Sequence, residues 1–209
     1  MGYNLTMRSE SSEEARTFTE SARRSQIIGC TIEALSEVGY SGATLADIAR
    51  RAGISKGVVL YYFSGKDDLL EQVVVDVYSR AGEAIADRIS AVSQAAAKVT
   101  GYLEANLQFA ASHTADVRAV VEIVTNARRS DGAHKFAPKG EDPVLTHFKQ
   151  LLVAGQQSGE FGDFDAHSLA VITRGAIDTA SGRLIADPSF DIEAYTQELV
   201  TMVGLALHR

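Results

Sequence analysis

The residue types best suited to hydrogen-bond chemistry crowd into one stretch, Thr44 to Lys66, which reads TLADIARRAGISKGVVLYYFSGK. It combines hydroxyls, two adjacent arginines, a tyrosine pair and two lysines. Such groups donate to phosphate oxygens and to base edges when a helix carries them into a groove. Local signals supply that helix. Thr44 with Asp47 three residues on is a variant of the capping box, and it opens a short helix whose Leu45, Ile48, Ala49 and Ala52 share one face. Gly53 stands where a turn needs a positive φ, and Ile54 is an apolar pin between two helices. Ser55 caps a second helix from about Lys56 to Tyr62. Two short helices around a glycine turn, at about 45–64, make a helix-turn-helix, which points to double-stranded DNA. A recognition helix of that length is stable only when its neighbours hold it.

Those neighbours are readable on both sides. From Ser21, the residues Ile27, Ile28, Thr31, Ile32, Leu35 and Val38 mark one helical face, and Gly39 closes the helix, giving a three-helix head over 21–66. Residues 1–20 lack a periodic apolar face and read as a flexible arm. Arg16, Arg23 and Arg24 would let that arm reach the DNA backbone or minor groove, or it is simply disordered. After Phe63 a long fourth helix begins without a linker. Ser64 or Gly65 is its cap, Asp67 and Asp68 suit its positive end, and Leu69, Leu70, Val73, Val74 and Val77 face inward to about Val92. Further helices are expected near Ala95–Ser112, Thr114–Ser130, Pro143–Ser158, Asp165–Asp187 and Ile192–Leu207, with Asp131–Asp142 as a surface loop. The fold class is therefore all-α: a three-helix head joined by a long fourth helix to a helical bundle over 67–209.

Composition sets the outer limits. The chain has 209 residues, 45% hydrophobic and 22% charged, so a folded core is within reach. Its net charge of −7 seems to argue against DNA until it is divided along the chain. Residues 21–66 carry six basic and three acidic side chains, a balance of +3, whereas residues 67–209 carry 12 basic and 20 acidic, a balance of −8. A basic head on an acidic body suits a DNA reader fused to a second domain. No run of about 18 apolar residues occurs and the polar start lacks a signal region, so a cytoplasmic location without membrane contact is expected. Cys30 reads as a packed thiol. An enzyme is disfavoured because the G-x-S-x-G, G-x-G-x-x-G and H-E-x-x-H motifs are missing. The five histidines are scattered without supporting cysteines, so no metal site and no cofactor are expected. The remaining rival is a helical protein-interaction module that does not read DNA.

The stretch resembles the head of the TetR family of one-component bacterial transcriptional regulators. Thr44, Ile48, Ala49, Ala52, Gly53, Ile54, Ser55, Gly57, Phe63, Lys66 and Leu69 fit the family pattern, and the match extends from about residue 21 to 82. Leu60 departs from it, standing where many members have tyrosine. The resemblance implies a homodimer, most often a repressor, that sets two heads in successive major grooves of a pseudo-palindromic operator. It implies phosphate contacts from Thr44, Ser55, Tyr61 and Lys66, and base contacts from Lys56, Gly57, Val58 and Tyr62. It further implies that an unidentified small molecule binds the C-terminal domain and releases the DNA. Polar and aromatic groups that interrupt inward faces make Tyr102, Asn106, Phe109, His113, Glu122, Asn126, Phe148, Arg174 and Asp178 the pocket candidates. By the same analogy the helices at 143–158 and 165–187 form the dimer interface, through Val144, Leu145, Leu151, Leu152, Leu169, Ile172, Ala176 and Ala180.

Overall fold

The computed structural model describes residues 6–136 and 143–208, with side chains from residue 19 onward apart from that of residue 143. Nine helices occur among the described residues: α1 (Thr6–Gly42), α2 (Leu45–Arg51), α3 (Lys56–Tyr62), α4 (Lys66–Ser90), α5 (Ala95–Ser112), α6 (Thr114–Asn126), α7 (Pro143–Gln157), α8 (Ala166–Ala186) and α9 (Ile192–Ala206). The all-α expectation holds. The chain divides into two compact units whose boundary falls inside α4, between Val75 and Asp76. The first turns of α4 go with the head because Leu69, Leu70 and Val73 are buried with the head's own apolar residues.

In the first unit Ile27, Leu35, Ile48, Val59, Phe63 and Leu69 are almost fully buried, so each of its helices buries apolar side chains. Two sequence expectations change. The backbone is helical from Thr6, so residues 6–20 are not an irregular arm; residues 1–5 lie outside the described range. Glu13, Glu14, Ala15 and Arg16 are good helix formers, and a helix can extend on propensity without an apolar face. Val38 is 49% exposed and so leaves the buried stripe, one residue before Gly39 breaks the helix with φ 70° and ψ 179°.

The second unit is a helical bundle. Its core joins Ile85 of α4, Val99, Tyr102, Leu103 and Leu107 of α5, Phe148 and Leu152 of α7, Ala170, Ile177 and Ala180 of α8, and Leu199 and Val203 of α9. Helix starts follow the capping rules. The carboxylates of Asp165 and Asp191 accept from the backbone N–H groups of Ser168 and Ala194 at 2.6 and 2.9 Å. At the end of α7, Gly155 leaves room for the Phe161 ring, which lies where a Cβ would stand. Between α6 and α7, Arg128 and His134 form an isolated antiparallel bridge, and residues 137–142 lie outside the described range.

Candidate functional site

The head presents α3 through three local devices. The Thr44 hydroxyl accepts from Asp47 N–H at 3.2 Å and starts α2, and the Ser55 hydroxyl accepts from Val58 N–H at 3.3 Å and starts α3. Between them Gly53, at φ 65°, closes α2. Its N–H bonds the Arg50 carbonyl at 3.2 Å while Ile54 N–H reaches back to Ala49 at 3.0 Å, the two crossed bonds of a Schellman ending. Glycine is needed there because an L side chain rarely adopts that φ.

Longer-range contacts fix the orientation of α3. Arg24 of α1 donates through Nη1 to the Tyr62 carbonyl at 2.5 Å, and its guanidinium lies 4.5 Å from the centre of the Phe63 ring. The last turn of α3 is thus tied to α1 by a charge-assisted bond and a cation–π contact. Arg51 links α2 to α1 by donating to Glu37 at 2.8 Å, and it also donates to Asp47 on its own helix at 2.7 Å. Hydrogen bonds from Arg51 and then Arg50 hold the Asp47 carboxyl below its ordinary pKa.

The sequence-derived contact residues fall into two groups. Thr44, Ser55, Lys56, Gly57, Val58 and Tyr61 are all exposed. Tyr61, at 73% exposure, stands out furthest, its ring edge-on to that of Tyr62 with centroids 5.0 Å apart. Tyr62 and Lys66 are half-buried. The Lys66 ammonium donates to the Tyr40 carbonyl at 2.7 Å and sits 4.5 Å from the centre of the Tyr40 ring. Burial pushes its pKa down. Lys66 therefore ties the start of α4 to the end of α1, with two N–H groups left for any further acceptor. Ile54 is half-buried rather than a core pin, and Leu60 is exposed beside Val58 and Tyr61.

In the second unit a small concavity, with room for about one water, is lined by Tyr102, Val144, Leu145, Phe148, Ala170, Thr173, Arg174 and Ile177. Three of the nine pocket candidates, Tyr102, Phe148 and Arg174, meet there. Tyr102 and Phe148 stack with centroids 4.6 Å apart. Asp178 is next to the cavity through Arg174, whose Nε lies 2.9 Å from its carboxylate. The other five do not join the wall. Asn106 donates to the Tyr102 carbonyl one turn back on its own helix, at 3.2 Å. Phe109 stacks on His113 at 4.3 Å where α5 meets α6. Asn126 bonds the Glu122 carbonyl near the end of α6. Each is satisfied by the turn of helix it belongs to. Sequence reasoning missed Ala170, Thr173 and Ile177, although a hydroxyl between two apolar residues at helical spacing was a usable signal.

The interface candidates divide by burial. Leu152 and Ala180 are fully buried within the chain's own core, so no partner chain reaches them. Val144 and Leu145 line the cavity, and Leu151, Leu169 and Ala176 pack, half-buried, against the same core. Their apolar stripe is spent inside the bundle because α7 packs against α5 as well as α8. Ile172 alone of the eight stays open, at 68% exposure, with Val171 beside it. On α9, Met202 and Leu205 are 60% and 72% exposed. Sequence reading gave α9 no interface role.

Comparison with known proteins places these features. Residues 27–73 match the family model described as bacterial regulatory proteins, tetR family. The HTH-type transcriptional regulator BetI of Escherichia coli is 44% identical over 80 residues, a match that spans 38% of this chain and 41% of that protein. The fold continues beyond that segment. A bacterial regulatory protein in the tetR family from Rhodococcus superposes with a TM-score of 0.68 at 18% identity, covering 89% of this chain and 97% of that one. The transcriptional regulator FadR from Bacillus subtilis, solved in complex with stearoyl-CoA, gives 0.70 at 21% identity, covering 88% and 98%.

Proposed function

Since the chain carries the DNA-binding head of the TetR family of bacterial regulators on the fold of its solved members, we propose that it is a homodimeric transcriptional regulator, a repressor released when a small molecule binds its bundle. The observation that carries the reading is the outer face of α3. Val58, Leu60 and Tyr61 are exposed there beside Lys56 and Gly57, an apolar and aromatic surface that a helix of seven residues has no folding reason to leave in water. Set into a major groove, that face gives each residue work. Lys56 donates to guanine O6 and N7, Val58 packs on a thymine methyl, Gly57 lets the backbone approach and Tyr62 borders the bases. Thr44, Ser55 and Tyr61 hold phosphates, and Lys66 joins them through the N–H groups that Tyr40 leaves over.

Two-fold symmetry in the DNA asks for two-fold symmetry in the protein. The surface best suited to a second copy is the open apolar face of α8 and α9, Val171 and Ile172 with Met202 and Leu205, and the exposed glycines Gly175 and Gly182 allow close helix approach. The effector site belongs to the bundle. Ligand binding there releases DNA only by favouring one dimer conformation over another, and a coupling of about 1–3 kcal/mol weakens operator binding roughly 5- to 150-fold.

The test is selection of bound sequences from random duplex DNA by the full chain, repeated with Lys56→Ala. A two-fold-symmetric site whose preference relaxes at one position per half-site supports the reading. If no duplex is retarded even at low salt, the regulator reading fails.

A further inference from the structure

The outer side of α3 carries a leucine that folding leaves nearly half exposed. Successive helical residues turn by about 100°, which sets Val59 and, just past the helix, Phe63 on one side, where they are 0% and 1% exposed. Gly57 and Tyr61 lie opposite them, and Val58 and Leu60 stand on the two flanks between. Exposure follows that wheel, at 73% for Tyr61, 44% for Leu60 and 37% for Val58. Gly57 is open as well, since a Cβ there would come no nearer than 3.7 Å to the Ser55 hydroxyl. The helix therefore presents a bare strip of backbone at Gly57 with an apolar side chain on each side.

Neither flank has a donor or an acceptor to offer. In a major groove the base pairs differ by their hydrogen-bonding edges and by one apolar group, the C5-methyl of thymine. An apolar side chain laid on a polar edge removes that edge's water and returns no bond, whereas on a methyl it gains by burial. Each flank thus selects thymine. The two lie roughly 160° apart about the helix axis, so one methyl does not serve both.

We propose that Leu60 is a specificity-determining residue of the head, which reads the C5-methyl of a second thymine across the Gly57 strip from the thymine beneath Val58. This role rests on the reading that sets α3 in a major groove, and it gives the target a chemical class: a half-site specified by two methyl groups. The contact is apolar and displaces no counterion, so its contribution does not change with salt, unlike that of a phosphate contact. Taking one methyl group out of water corresponds to about a fourfold gain in affinity.

The experiment starts from the duplex that the full chain selects from random DNA. Each thymine of one half-site is replaced singly by deoxyuridine, which removes the methyl and keeps the hydrogen-bonding edge, and affinity is measured at two salt concentrations. The unaltered chain should lose about fourfold at two of these positions, equally at both salts. Leu60→Ala should make one of the two replacements silent while the other still costs about fourfold, and Val58→Ala should give the reverse pair. Leu60→Met, which keeps an apolar side chain there, should retain the loss at both, with circular dichroism verifying that each variant is folded. Indifference to the methyl at every thymine, or losses that Leu60→Ala leaves unchanged, would overturn the proposal. In both of those cases the chain still binds DNA and the regulator reading stands, whereas a chain that retards no duplex overturns the two together.

Discussion

Replacing Arg24 by methionine separates two roles that a basic residue beside a recognition helix can have. In the structure its guanidinium is committed to the protein: Nη1 reaches the Tyr62 carbonyl at 2.5 Å and the plane covers Phe63 at 4.5 Å. Methionine keeps most of the stem's packing and removes both contacts. A hydrogen bond with one charged partner contributes about 1.5–3 kcal/mol, and the lower end applies because Arg24 is only half-buried and water can reach the freed carbonyl. The cation–π contact adds about 0.5–1 kcal/mol. Together the loss is about 2 kcal/mol, felt at the last turn of α3.

Hydrogen exchange reads that loss where it occurs. The amides of Val59 and Phe63, bonded to Ser55 and Val59 carbonyls, should exchange roughly thirtyfold faster if α3 opens more easily by that amount. Operator affinity should meanwhile keep its salt dependence, because no phosphate contact is lost. The competing role, a phosphate contact from Arg24, gives the opposite pair of results. Stability would stay within about 0.5 kcal/mol, and the slope of log K against log salt would fall by about 0.9 for each head. An unchanged exchange rate with a reduced salt slope would refute the clasp.

Three further perturbations follow from other contacts. Gly155→Ala places a Cβ 2.0 Å from the Phe161 ring, so the turn after α7 must open; a loss of about 1–3 kcal/mol in urea unfolding is expected, and Phe161→Leu in the same chain should recover part of it. Asp47 has a carboxyl pKa held below its ordinary 3.8 by Arg51 and then Arg50, so its contribution is complete above that value and is lost as pH falls through the lower native one. Asp47→Asn should therefore flatten the head's acid unfolding below about pH 4 without altering the bundle's. In the proposed dimer, Leu205→Asp should give monomers in sedimentation at micromolar concentration, whereas Leu152→Ala should cost about 2–5 kcal/mol of stability and leave the association unchanged.

What the sequence could disclose follows from the range over which each contact acts. The head was legible because its determinants are local: the Thr44 and Ser55 caps, the Gly53 turn and the apolar spacing all act within a turn or two of helix, and each appears in place. The bonds that aim the head span longer intervals. Arg24 and Tyr62 are 38 residues apart, Lys66 and Tyr40 are 26, and no periodicity connects them. For that reason nothing in the sequence indicates that Arg24 and Lys66 are both tied into the protein. The bundle shows the same rule in reverse. The α7 stripe was real, but an apolar stripe states only that it is covered, and α5 and α8 of the same chain cover much of it. Thr173 marks the limit from another side. A threonine in a helix is silent in sequence because its usual partner is its own backbone. It stands out only when the structure shows that bond unmade at a buried position, as it is at Thr173.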